Sequence, residues 1–252
     1  MSDPNRAAEK LTLIQLLPNM LTVIAICAGM TAVRFGLQGS YEIAVQLILL
    51  AAVLDGMDGR LARALKSESG MGAELDSLAD FFNFGVAPGM LLYTWALEDS
   101  SNFGWLAVLA FAVCACVRLA RFNVQRKSED KAHDNAYFTG VPSPAGALLV
   151  MLPMFLSFGL GTGPFLPDLM LSLWIVLVGL SMISRFPTWS FKTTRIPRKS
   201  AKFFLVAVAL AGAAAVTYAW ITLVILCVAY IATVIVMLPR SKRRIGGDRG
   251  AD

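Results

Sequence analysis

Eight apolar stretches, each long enough to cross a lipid bilayer as a helix, follow one another along the chain. A bilayer-spanning helix needs about 20 mostly apolar residues. A chain built this way satisfies its backbone hydrogen bonds within helices, because lipid offers no partners for them. We therefore predict an all-α, polytopic membrane helix bundle. The predicted spans are 18–35, 41–59, 75–97, 103–123, 141–160, 167–184, 201–219 and 221–238.

The composition supports a membrane-embedded chain and argues against a soluble one. Hydrophobic residues make up 57% of the sequence and charged residues 15%, whereas soluble domains carry roughly 25% charged residues. The net charge of +5 does not indicate a nucleic-acid partner, because the basic residues lie between the apolar stretches and form no basic domain. Membrane lipid is the predicted environment, and no nucleic-acid binding is expected.

The basic residues also predict the orientation of the spans. Lys and Arg concentrate in cytoplasmic loops, and here they cluster before the first span, at every even-numbered connection and after the last span. On the opposite side only Arg34 is basic, among the acidic residues Glu42, Glu98, Asp99 and Asp168. This pattern predicts that both termini are cytoplasmic. We expect a polar cytoplasmic N-terminus (1–16), one membrane-embedded catalytic domain (17–238) and a basic cytoplasmic tail (239–252).

Four aspartates lie around the first cytoplasmic turn between spans. Asp55 and Asp58 end the second span, and Asp76 and Asp80 open the third. The spacing of three and four residues places each pair on one face of its helix. Helices joined by a short loop are antiparallel neighbours, so the four carboxylates can converge. Divalent metal would relieve their repulsion, and oxygen-only ligands favour Mg²⁺, Mn²⁺ or Ca²⁺ over zinc. Two ions are the common arrangement for displacement at phosphorus.

The residues between the two aspartate pairs fit a phosphate-containing substrate. Gly59 and Gly72 have no side chain to block a close approach, Arg63 can hold phosphate in a forked contact, and Ser69 offers a hydroxyl. The alternative is that these are ordinary loop residues and that the basic ones only mark the cytoplasmic side.

Together these residues form a signature. The pattern D-x2-D-G-x2-A-R-x8-G-x3-D-x3-D runs from Asp55 to Asp80, with Ala62 as its alanine. At every fixed position it resembles the CDP-alcohol phosphotransferase family, and eight fixed residues at fixed spacing rarely recur by chance.

The resemblance implies an integral membrane enzyme, usually a homodimer, that moves a phosphatidyl-type group from a CDP-linked lipid such as CDP-diacylglycerol to an alcohol and releases CMP. It implies that Asp80 takes the proton from the attacking hydroxyl and that the four aspartates bind two divalent cations, Mg²⁺ or Mn²⁺ with Ca²⁺ as a further option. The residues implied to bind the CDP-lipid are Pro18, Asn19, Gly59, Ala62, Arg63, Ser69 and Gly72.

Three further segments are similar to the phosphatidylserine synthases of this family. They are 81–88 (FFNFGVAP), 118–123 (RLARFN) and 138–145 (FTGVPSPA). This similarity implies L-serine as the acceptor, although Asn83 stands where that subgroup commonly has Ser. Asn83 lies one helical turn from Asp80 on nearly the same face, so it is a candidate to contact the acceptor. Arg118 and Arg121 are the candidates to bind the serine carboxylate, because a guanidinium pairs with a carboxylate in a planar fork. Topology alone also explains both arginines.

Two alternatives stay open at this stage. The acceptor can instead be glycerol phosphate, inositol, inositol phosphate or choline, and the basic residues Arg118, Arg121, Arg126 and Lys127 would suit a phosphorylated one. A cation-coupled transporter would also need intramembrane carboxylates, but it predicts them near the midplane, in repeated halves with broken helices. The orientation of the site and the resemblance together predict a bacterial inner membrane enzyme whose active site faces the cytoplasm.

Overall fold

The computed structural model describes residues 13–65, 67, 69–100, 102–128, 137–184, 187–189 and 217–247. This part of the chain is mostly helical, which confirms the predicted fold class; a short antiparallel ladder between two strands is the departure from it. The helices are α1 (Leu13–Leu37), α2 (Tyr41–Ala64), α3 (Gly70–Phe81), α4 (Ala87–Leu92), α5 (Phe103–Ser128), α6 (Ser143–Val150), α7 (Leu152–Leu160), α8 (Asp168–Ile183) and α9 (Ala219–Gly247). Two π-helical turns are π1 (Phe82–Val86) and π2 (Tyr93–Leu97), and the strands are β1 (Tyr137–Thr139) and β2 (Pro187–Trp189).

Three of the described helices are long and apolar enough to cross a membrane: Leu16–Leu37, Phe103–Val124 and Ala219–Val236. The pair α6 and α7, bent by 44°, gives a fourth candidate if it forms one span. The chain is therefore an integral membrane protein with about three to four candidate spans in its described part. The count of eight spans and the cytoplasmic termini stay predictions, and span 201–219 lies almost wholly outside the described residues.

The other predicted spans are helical but are shorter, interrupted or more charged. Helix α2 has 24 residues, yet it carries Glu42 and both aspartates of its C-terminal half. The predicted third span lies in a helical segment from Gly70 to Leu97. In this segment the π-helical turns π1 and π2 alternate with the α-helices α3 and α4. π-helical turns are rare and often occur at functional sites, and π1 begins directly after the helix that carries Asp80.

Small residues allow the helices of the core to pack closely. A Cβ added at Gly85 would lie 2.9 Å from the Cβ of Ala115, and one added at Gly89 would lie 3.0 Å from Val108. Helix α5 therefore approaches π1 and α4 almost backbone to backbone, as membrane helices do where small residues line the interface. Phe111, in the same part of α5, is fully buried.

The segment before α6, which includes Gly140, packs against the C-terminal end of α8. Gly140 has φ +86°, and a Cβ there would lie 2.6 Å from the carbonyl oxygen of Met182. This left-handed conformation and close approach require glycine. The guanidinium of Arg121 donates to the carbonyl oxygen of Ile183 at 2.9 Å. These contacts fix the position of Ser143, the first residue of α6.

Candidate active site

Three of the four predicted metal ligands converge where α2 ends and α3 begins. Carboxylate oxygens of Asp55, Asp58 and Asp76 all lie within 4.8 Å of one another. The last turns of α2 supply the first two residues, and α3 supplies the third after a short connection. The structure thus brings together side chains that are up to 21 positions apart in the sequence.

The fourth aspartate, Asp80, lies one helical turn beyond Asp76 and adjoins the same cluster. Its carboxyl group is within hydrogen-bonding distance of the carboxyl group of Asp55. On another side it is close enough to the Arg118 guanidinium for electrostatic attraction. Asp80 therefore connects the acidic cluster to a neighbouring basic group.

The donor set of this cluster fits divalent cations. The Oδ1 atoms of Asp55 and Asp58 are both buried, and within the described part of the chain neither has a hydrogen-bond partner. Buried carboxylate oxygens without partners are costly, and like charges this close repel one another. The three-residue group contains carboxylates alone, the ligand type that Mg²⁺ and Mn²⁺ prefer. These orphaned oxygens are available as metal ligands.

Thr22 on α1 contacts this cluster, and sequence analysis did not identify it. Its hydroxyl donates to Oδ2 of Asp58 at 2.5 Å and lies 3.1 Å from the carbonyl oxygen of Pro18. Both Thr22 and Asp58 are only 3% exposed. The sequence does show a polar residue one helical turn after Pro18. A single threonine in an apolar stretch is also common in membrane spans, so its position alone did not indicate a functional role.

The predicted nucleotide-binding residues at the start of α1 and α3 lie beside each other. Ser69 is the N-cap of α3, and its hydroxyl oxygen accepts a hydrogen bond from the backbone N–H of Gly72 at 3.0 Å. A Cβ added at Gly72 would lie 2.7 Å from Oδ1 of Asn19. The structure therefore groups Asn19, Ser69 and Gly72, with buried Pro18 next along α1.

The remaining nucleotide-binding candidates lie on the last turns of α2. Gly59 is exposed, and a Cβ there would meet nothing within 4 Å. Arg63 is exposed too, and its Nε donates to the carbonyl oxygen of Gly59 at 3.1 Å. Ala62 is half-buried. This face of α2 is open, so a ligand can approach it without displacing protein atoms.

The three predicted acceptor-binding residues lie in three different surroundings. Asn83 is fully buried in π1, with both side-chain polar atoms unpartnered, and a Cβ at Gly29 would clash with its Oδ1. Arg118 is half-buried beside Asp80, and its Nη1 donates to the hydroxyl of Ser143 at 2.5 Å. Arg121 instead donates to the end of α8. Arg118 thus interacts electrostatically with Asp80, whereas the described hydrogen bond of Arg121 is to α8.

Comparison with known proteins agrees with this arrangement. The family model described as CDP-alcohol phosphatidyltransferase matches residues 15–184, which include all four aspartates and every predicted site residue. This chain belongs to that family. The match confirms the resemblance carried by the aspartate signature. The family region ends before α9, which begins at Ala219.

Curated relatives in this family carry the name CDP-diacylglycerol–serine O-phosphatidyltransferase. The chain is 39% identical to the one from Mycobacterium leprae (strain TN) over 219 residues, covering 86% of this chain and 73% of that protein. It is 38% identical to the one from Mycobacterium tuberculosis (strain ATCC 25618 / H37Rv), covering 86% and 76%. It is 37% identical to the one from Bacillus subtilis (strain 168), covering 57% and 81%.

Proposed function

We propose that this CDP-alcohol phosphatidyltransferase transfers the phosphatidyl group of CDP-diacylglycerol to the hydroxyl of L-serine, giving phosphatidylserine and CMP. The acidic cluster at the junction of α2 and α3 carries the proposal. Relatives named for this reaction support serine as the acceptor.

Asp55, Asp58, Asp76 and Asp80 would hold two divalent cations, Mg²⁺ or Mn²⁺. When bound, these ions would neutralise the diphosphate and the charge that builds on the leaving CMP. Thr22 fixes one oxygen of Asp58, which leaves the orphaned Oδ1 of Asp58 as the atom available for ligation.

Asp80 is the proposed general base. The serine hydroxyl oxygen forms a bond to the phosphatidyl phosphorus, and the bond from that phosphorus to the CMP oxygen breaks. The bonding electron pair leaves with CMP, and the hydroxyl proton passes to the Asp80 carboxylate. A base beside the acceptor raises the nucleophilicity of the hydroxyl. The reaction needs no covalent enzyme intermediate.

The donor nucleotide would bind between α1, the open face of α2 and the start of α3. Asn19, Ser69 and Gly72 lie together there, and Arg63 is exposed nearby on α2 for the phosphates. The other proposed contacts are Pro18, Gly59 and Ala62. A diacyl tail can stay in the bilayer because the cluster lies at helix ends and not in the middle of a span.

The cellular setting is part of the same proposal. The excess of Lys and Arg at the connections on this side favours a cytoplasmic site, in a bacterial inner membrane. We propose that 17–238 forms the catalytic domain of a homodimer, as the family resemblance implies.

The test is CMP release by the purified protein in detergent with CDP-diacylglycerol and Mg²⁺ or Mn²⁺. The acceptor panel is L-serine, glycerol 3-phosphate, inositol, inositol phosphate and choline. We expect release that depends on both serine and metal. Asp55→Asn should abolish it, whereas Glu42→Gln, which changes an exposed acid at the other end of α2, should not. CMP release with another alcohol in place of serine would refute serine as the acceptor. No CMP release with any acceptor would refute the proposed phosphatidyltransferase activity.

A further inference from the structure

Three polar side chains from three different helices interact with one another, and one of them, Arg118, attracts the Asp80 carboxyl group electrostatically. Arg118 comes from α5, Ser143 from the first turn of α6, and Tyr230 from α9. Arg118 donates to the Ser143 hydroxyl, and Tyr230 is close enough to Arg118 to interact with it electrostatically. Ser143 is 4% exposed. These three residues therefore form a largely buried polar group outside the acidic cluster.

Two polar atoms of this group lack a hydrogen-bond partner among the residues that the structure describes. They are the Nε of Arg118 and the hydroxyl of Tyr230, and both are buried. Buried polar groups are normally satisfied, because an unmade hydrogen bond leaves the cost of desolvation uncompensated. In a membrane segment such groups usually mark a binding site. The Nε–H of Arg118 can only donate and the Tyr230 hydroxyl can donate as well, so an acceptor that carries negative charge would satisfy both.

We propose that Arg118, Ser143 and Tyr230 form the pocket for the carboxylate of the acceptor amino acid, with Tyr230 of α9 as a specificity-determining residue. The proposal rests on the proposed function. A guanidinium binds a carboxylate in a planar fork, Ser143 holds the far side of that fork, and the phenol donates to the carboxylate. An acceptor held there has its hydroxyl next to Asp80.

The pocket divides recognition between two parts of the chain. The acidic cluster and the nucleotide-binding candidates lie within 15–184, the residues that match the family. Tyr230 lies outside that region, on a helix that is otherwise mostly apolar. If family members transfer the same kind of donor group to different alcohols, a residue that selects the alcohol can lie outside residues 15–184, which match the family. Helix α9 is thus more than a membrane anchor.

The test compares Tyr230→Phe with Tyr218→Phe. Tyr218 lies just before α9 and is 63% exposed, so its variant loses the same hydroxyl without touching the pocket. We expect Tyr230→Phe to raise the KM for serine about 10-fold, the effect of losing one hydrogen bond to a charged group. The KM for CDP-diacylglycerol should stay within about two-fold of the parent value, and Tyr218→Phe should leave both constants unchanged.

A second measurement does not depend on turnover. In the presence of CDP and Mg²⁺, L-serine should raise the melting temperature of the parent protein, and serinol, which has no carboxylate, should not. Tyr230→Phe should need about 10-fold more serine for the same shift. Equal shifts in melting temperature with serine and serinol would overturn the proposed carboxylate site. An unchanged serine concentration for the same shift in Tyr230→Phe would overturn it too. CMP release with serine alongside that result would leave the proposed function standing, whereas release only with inositol or choline would overturn both.

Discussion

Thr22→Val tests whether the residue that sequence analysis missed supports the metal site. The substitution replaces a hydroxyl by a methyl group of similar size, so α1 keeps its packing while Asp58 loses a donor. The hydrogen bond it removes is short, 2.5 Å, and both residues are buried. In the variant, Oδ2 of Asp58 loses its side-chain hydrogen bond, while Oδ1 already lacks a partner among the described residues.

The expected magnitude follows from that geometry. A hydrogen bond to a charged group contributes about 1.5–3 kcal/mol, which corresponds to roughly 10-fold to 100-fold in an equilibrium constant. Loss of a group that orients a metal ligand typically reduces metal affinity by about the same factor. We therefore expect Thr22→Val to raise the Mg²⁺ concentration for half-maximal CMP release by about 10-fold to 100-fold. Activity at saturating Mg²⁺ should largely recover.

The assay is a Mg²⁺ titration of serine-dependent CMP release, with Thr31→Val as the matched control. Thr31 lies on the same helix, and its hydroxyl donates to the carbonyl oxygen of Cys27 at 2.6 Å, away from the aspartates. Its variant should show the parent midpoint. An unchanged midpoint in Thr22→Val would refute the role of this hydroxyl, and equal shifts in both variants would assign the effect to α1 packing.

The remaining predictions concern the base, the packing of π1 and the metal. Asp80→Asn should lower the rate of CMP release by about 10²-fold or more while Mg²⁺ still stabilises the protein; unaffected turnover would eliminate Asp80 as the base. Gly29→Ala should lower the free energy of unfolding by about 1–3 kcal/mol, because its Cβ would clash with Asn83. Gly56→Ala is the control, because a Cβ there would lie within 4 Å of no described atom. Thermal melting in detergent compares the two variants. EDTA should abolish activity, and added Mg²⁺ or Mn²⁺ should restore it; activity that survives chelation would contradict the metal site.

The spacing of the aspartates was enough to predict their convergence. Residues three or four apart share a helix face whatever the surrounding fold, and a short connection forces α2 and α3 to be neighbours. That is why Asp55, Asp58 and Asp76 were identified from the sequence and lie together in the structure. Ser69 was identified instead by its hydroxyl between the two aspartate pairs, and the structure shows that it is the N-cap of α3.

Contacts between distant segments could not be read from spacing. Thr22 reaches Asp58 across 36 positions, and Ser143 reaches Arg118 across 25. The π-helical turn after Asp80 also changes the helical register. Sequence analysis predicted that Asn83 lies on nearly the same face as Asp80, and the structure adds that Asn83 packs against Gly29 of α1. Helix periodicity predicts faces only while the helix stays regular.

Asp80 connects the two halves of the site. Its carboxyl group adjoins that of Asp55 and is attracted electrostatically by Arg118, whereas Asp55 and Asp58 on α2 have no arginine among their described interactions. A general base must reach the acceptor hydroxyl, so in the proposed function Asp80 would act between the bound acceptor and the acidic cluster. On that proposal, changes at Arg118 or Tyr230 would alter the choice of acceptor while Asp55 and Asp58 would still hold the metal.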